Sequence, residues 1–123
     1  MAVTTLGTHL VRAIAEQDEP ALAKCFAPEA ELRALTPYGL RERVGATEVA
    51  SLISQWFGDS TELRLLDSRS DEVADRVHVS YRFRGVEEGE SYLVEQQLYC
   101  TVADDKVVEA NLLCSGFRPL IGE

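Results

Sequence analysis

Glu95, Gln97 and Tyr99 alternate along the stretch Ser91–Ala103. Residues two apart share one face of a strand, so a carboxylate, an amide and a phenol stand in a row. On a wall shielded from water, that row has the parts of a proton-transfer site. Desolvation raises a carboxylate's pKa toward the range useful for general base work. An amide or phenol donor would then hold the enolate oxygen that forms beside a carbonyl. If Asp104-Asp105 is a two-residue turn, Glu95 faces Cys114, Gln97 faces Leu112 and Tyr99 faces Ala110. Cys100 and Cys114 then lie on opposite faces, which excludes a disulfide between them. A slip of one residue would exchange the two faces. The plainer alternative for Glu95 is a glutamate that reaches solvent or pairs with an arginine, because an unpaired buried carboxylate is costly.

The other residues with chemical interest are fewer. Tyr38, Trp56, Tyr81 and Tyr99 offer flat apolar faces with polar tips, suited to a ring-containing ligand, although core packing is the better explanation of Trp56. Cys114 beside Glu95 would be an inert core thiol, since activation needs a neighbouring base or positive field. His9 and His78 are the two histidines. They share no metal-ligand spacing with carboxylates, so no metal and no cofactor are expected. No Ser-His-Asp order and no glycine-rich phosphate loop occurs. Arg118 near the end of the sequence would clamp an anionic ligand or, more commonly, pair with the acidic surface.

The elements that must position these residues follow from periodicity. Leu6, Leu10, Ala13, Ile14 and Gln17 have helical spacing, with Thr4 or Thr5 as the cap. Asp18 opens a second helix, Pro20 sits in its first turn and Pro28 stops it. Glu29 to Leu35 alternates as a half-buried strand. Pro37, Gly39 and Gly45 mark an irregular loop. Ala46 to Phe57 returns to helical spacing through Val49, Leu52, Ile53 and Trp56. Strands follow at about Glu62–Ser68, Arg76–Arg84, Ser91–Ala103 and Lys106–Arg118. The fold class is therefore α+β: helices, a strand, a helix, then a four-strand meander.

A length of 123 residues fits one domain, 1–123, large enough to bury a core without staples. Twelve basic against 21 acidic residues give a net charge of −9, which disfavours nucleic acid and anionic membrane as partners. An odd count of three cysteines, without paired spacing, suits a reducing, cytoplasmic setting. The N-terminal residues lack a signal-peptide pattern, and no apolar run approaches a bilayer span.

The phrases AEQDEPALAKCFAPEAEL, TPYG, VGATEVASLISQWF and YCTVADDKVVEANLLCSGFRP, in this order, resemble the nuclear transport factor 2-like superfamily. It includes ketosteroid isomerases and SnoaL-like polyketide cyclases. The resemblance runs from Leu6 to Pro119. It implies a cone: three N-terminal helices packed in a strongly curved, mixed but mostly antiparallel sheet that encloses a pocket. It also implies a homodimer through the convex sheet face. On that alignment Val77, Val79, Tyr81, Phe83, Leu93, Glu95, Gln97, Tyr99, Ala110, Leu112 and Cys114 line the concave face. Helix walls come from Leu10, Ile14, Leu52, Ile53 and Trp56, and Tyr38 lies near the cone mouth. His78, Ser80, Arg82, Gln96, Leu98, Asn111 and Leu113 would face the partner. The isomerases place a carboxylate base before the proline of a D-P-x-G phrase, where this sequence has Thr36. Their helix tyrosine aligns with Leu10, and their protonated aspartate with Gln97. All three positions depart, so isomerisation by that mechanism is not expected. Two readings follow. One is a cofactor-independent isomerase or cyclase acting on a small hydrophobic cyclic carbonyl compound. In it Glu95, Gln97 and Tyr99 are catalytic, and Tyr38, Trp56, Tyr81, Leu112 and Cys114 bind the ligand. The other is a noncatalytic module for small-ligand binding or dimerisation.

Overall fold

The structure is a computed structural model that describes residues 3–74 and 76–120. Helix α1, Val3–Ala15, already spans both threonines expected to cap it. Its Leu6, Leu10, Ala13 and Ile14 are buried, as their spacing requires. Gln17, with φ 54, ends the turn after α1. Asp18 then caps α2, Glu19–Ala23, by accepting from the Ala21 N–H at 3.1 Å.

Strand β1, Phe26–Thr36, begins before Pro28, so the proline sits within a strand and does not stop a helix. Ala30, Leu32 and Ala34 point inward. The expected irregular loop is instead a tight Pro37-Tyr38 turn followed by strand β2, Gly39–Val44. β2 buries no residue, which is why its sequence lacks the alternation that marks a strand. Gly39, with φ +118, and Thr36 close the turn: the Thr36 hydroxyl donates to the Gly39 carbonyl and accepts from the Tyr38 N–H.

Helix α3 covers Ala46–Phe57 and buries Val49, Ala50, Leu52, Ile53 and Phe57. Four long strands follow: β3, Ser60–Val73; β4, Arg76–Glu87; β5, Glu90–Ala103; and β6, Lys106–Cys114. A short β7, Arg118–Pro119, pairs with the start of β5. Sheet order is β2-β1-β6-β5-β4-β3, with β1 and β6 parallel and the other neighbours in that order antiparallel. α1 lies against β3 and β4, and α3 against β1 and β2, so both helices cover the same face. The core between them holds Leu10, Ile14, Ile53, Phe57, Tyr81, Phe83, Leu98 and Leu112. Gly85 admits Tyr92 from the opposite strand. A Cβ there would lie 2.5 Å from the Tyr92 hydroxyl, which meets the Ser60 hydroxyl at 2.6 Å.

Candidate functional site

Asp104 and Asp105 do form the turn, with φ of 53° and 63°. Ala103 pairs with Lys106 and Val102 with Val107, as a two-residue turn demands. Beyond them the register shifts: Thr101 pairs with Glu109, Cys100 with Ala110, Leu98 with Leu112 and Gln96 with Cys114. The shift places a bulge around Val108, with one extra residue on β6. It exchanges the faces of β5 relative to the expectation for the unbulged hairpin.

Glu95, Gln97 and Tyr99 therefore lie on the outer face, and Tyr92, Val94, Gln96, Leu98 and Cys100 on the inner one. The row expected to line the cone does not line it. Leu93 is likewise displaced from the inner set, and Gln96 and Leu98 from the outer set. Glu95 is exposed and pairs with Arg82 at 3.4 Å, with both side chains 46% exposed. Gln97 Oε1 lies 3.0 Å from His78 Nε2. The Tyr99 ring stacks on His78 with centroids 4.5 Å apart. Nothing in this arrangement desolvates a carboxylate.

The expected inner residues of β4 and β6 are where parity put them. Val77, Val79, Tyr81, Phe83, Ala110 and Leu112 are buried, and Cys114 is half-buried. Among them runs one polar chain. The Tyr81 hydroxyl donates to Gln96 Oε1 at 2.6 Å, and Gln96 Nε2 donates to Cys114 Sγ at 3.4 Å. The Gly116 N–H also donates to Cys114 Sγ at 3.4 Å. Gln96 is wholly buried, so its amide depends on these partners. Burial, and then the neighbouring Cys114 and Cys100, push the Tyr81 phenol well above its ordinary range. Burial pushes the Cys100 thiol up to about 12. Gln96 is the interior polar residue missed by the unbulged register. Its signal was the run Tyr92, Val94, Leu98 and Cys100 on its own parity.

The remaining expected ligand contacts scatter. Trp56 is half-buried against the core, and Tyr38 is 87% exposed at the tip of the β1–β2 turn. Pro37 instead covers Gly116. His9 lies on the exposed side of α1 beside Asp104 to Lys106, and Arg118 is exposed on β7. Among the described residues, no group of three or more His, Cys, Asp or Glu is placed to hold a metal ion. No helix there is long and apolar enough to cross a membrane.

A cleft of about 290 Å³ opens between the three helices. Ile14, Leu22, Ile53 and Phe57, all nearly inaccessible, form its floor. Gln17, Glu19, Ser54 and Gln55 form its polar margin. Gln17 is held there because its Nε2 donates to the carbonyls of Phe57 at 2.6 Å and Ser60 at 3.2 Å. On the opposite side of the molecule, Leu35, Leu40, Tyr99 and Leu113 form an exposed apolar patch across β1, β2, β5 and β6.

A curled mixed sheet covered by helices on one face is the architecture of the nuclear transport factor 2-like cone. The SnoaL-like domain family matches residues 8–110, and the chain belongs to it. Among solved structures, it is similar to a ketosteroid isomerase-like protein of Catenulispora acidiphila DSM 44928 in complex with trimethylamine. That match has a TM-score of 0.74 and 12% identity, covering 89% of this chain and 85% of the other. A proposed polyketide cyclase of Xanthomonas campestris pv. campestris gives a TM-score of 0.73 and 20% identity, covering 90% and 88%. An LEH-like epoxide hydrolase of M. tuberculosis gives 0.70 and 10%, covering 92% and 82%. At identities this low the structural likeness shows the shared fold alone. No curated protein matches the chain.

Proposed function

We propose that this protein is a noncatalytic small-molecule-binding module that pairs with a second copy through the outer sheet face. One observation carries the first part. Among the described residues, the buried interior contains no carboxylate, histidine, lysine or arginine. Its polar residues are Ser60, Gln96, Tyr81 and Tyr92, whose side chains are bonded to one another or to Cys114, while the buried hydroxyl of the half-buried Ser70 has no hydrogen-bond partner among the described residues. Burial holds the phenol of Tyr81 and the thiols of Cys25 and Cys100 protonated. An isomerase or cyclase mechanism through Glu95 would need that carboxylate inside, and it stands outside beside Arg82. The cleft between the helices, apolar at its floor and polar at its margin, has the make-up of a small-ligand site. The patch of Leu35, Leu40, Tyr99 and Leu113 supports pairing of two copies.

Two readouts on one sample test the binding assignment. A panel of small cyclic molecules is followed by amide NMR shifts and, in D₂O, by deuterium uptake at carbons next to carbonyls. Saturable shifts at Ile14, Leu22 and Ile53, with uptake equal to buffer, are the expected result. Protein-dependent uptake that falls in Glu95→Gln or Tyr81→Phe would overturn it.

A further inference from the structure

Among the described residues, the cleft between the helices carries one formal charge, that of Glu19. Its polar margin is Gln17, Glu19, Ser54 and Gln55, and among the described residues that line it none is lysine, arginine or histidine. Glu19 stands on it, and among the described residues no ion pair or hydrogen bond engages that side chain. The last turn of α3 also lines it, and that turn contains no basic residue to offset the negative end of the helix dipole. The Gly58 N–H bonds the Gln55 carbonyl at 3.4 Å, so it does not serve the Ser54 carbonyl four residues back. Gln17 spends its amide N–H groups on the Phe57 and Ser60 carbonyls, which leaves its oxygen as its free function. A carboxylate, a helix C-terminus and an amide oxygen thus surround a floor of Ile14, Leu22, Ile53 and Phe57.

We infer that this cleft takes a small organic cation, an ammonium group carrying one compact apolar ring or branched chain. The inference rests on the binding-module reading above and names the ligand class for its site. The apolar group would cover the floor, and the ammonium would sit at the margin against Glu19 and the end of α3. The volume of about 290 Å³ sets the size. A cavity of roughly 150 Å³ already holds a benzene ring, whereas drug-sized ligands need roughly 300–1,000 Å³.

The test uses three probes of matched shape: cyclohexylammonium, cyclohexanol and cyclohexanecarboxylate. Each is titrated into the full chain and into Glu19→Gln, with Kd taken from amide shifts of cleft residues. Glu19 is exposed, so its substitution leaves the core intact. The ammonium is expected to bind about fivefold or more tighter than the alcohol, as a partly exposed ion pair plus a helix end would give. The carboxylate should bind weakest. Glu19→Gln should narrow the gap between ammonium and alcohol. If the alcohol binds the cleft as tightly as the ammonium, or the carboxylate binds tighter, the cation inference is overturned and the binding-module reading stands. If none of the three shifts cleft residues, both are overturned.

Discussion

Removing one oxygen from Tyr81 should cost far more than removing one from Tyr99. Among the described residues the Tyr81 hydroxyl is the sole donor to Gln96 Oε1, at 2.6 Å, in a side chain with no solvent access. Tyr81→Phe keeps the ring and its edge contact with Phe83 but leaves that amide oxygen buried without a partner. An orphaned buried acceptor costs about 1–3 kcal/mol. For a domain of this size each kcal/mol moves Tm by roughly 3–5 °C, so the expected fall is about 3–15 °C. Tyr99→Phe removes a hydroxyl from an exposed ring stacked on His78 and should stay within about 0.5 kcal/mol of the parent. The double variant Tyr81→Phe/Gln96→Leu removes both polar partners and should recover a substantial part of the loss, because no amide is left unpaired. Urea unfolding at constant m-value measures all three. If Tyr81→Phe is neutral, or if Tyr99→Phe is the more damaging of the two, the assignment of faces on β5 is wrong.

Other outcomes follow from the same geometry. Glu95→Gln should change stability by less than about 1 kcal/mol, read by urea unfolding, since it breaks only a half-exposed pair with Arg82. Gly85→Ala should destabilise by about 1–3 kcal/mol in the same assay, because the new Cβ displaces Tyr92 from Ser60. Tyr81, Tyr92, Cys25 and Cys100 all have folded pKa values raised by burial above 10.0 for the phenols and 9.0 for the thiols. The fold thus favours their protonated forms. Their contribution is complete below those ordinary values and is lost as pH rises through them toward about 12, the folded value of Cys100. Unfolding free energies at neutral and strongly alkaline pH should show that decline. Leu113→Glu should lower the mass seen by light scattering to that of one chain, because it places a charge in the outer apolar patch.

Much of the fold was legible because one face of each element is buried. α1, α3, β1 and β4 carry apolar residues at the period their structure requires, so all four elements appear, although α1 starts before Thr4, β1 starts at Phe26 and β4 runs on to Glu87. β2 was not legible, since an edge strand that buries no residue needs no alternation. The extension of β3 beyond Ser68 to Val73 was hidden because its residues Arg69-Ser70-Asp71-Glu72 are all polar, although Ser70 packs against Gly7 of α1. The faces of β5 were misread because of a single residue. The turn at Asp104-Asp105 was right, but a turn fixes register only as far as the first irregularity, and the bulge at Val108 lies beyond Val107. The alternation of Tyr92, Val94, Leu98 and Cys100 pointed to the correct face, and the polar Gln96 between them obscured it. The helix cleft had no sequence signature, because its margin joins Gln17, Glu19 and Gln55, which meet only through packing.

Side-chain amide NOEs of the two adjacent glutamines bear most directly on which groups the cone encloses. The Gln96 amide protons should show contacts to Tyr81 and Cys114, and those of Gln97 to His78 and Tyr99. Contacts from Gln97 to Tyr81 or Leu112, with Gln96 exchanging freely with solvent, would return Glu95 to the interior and contradict a charge-free core.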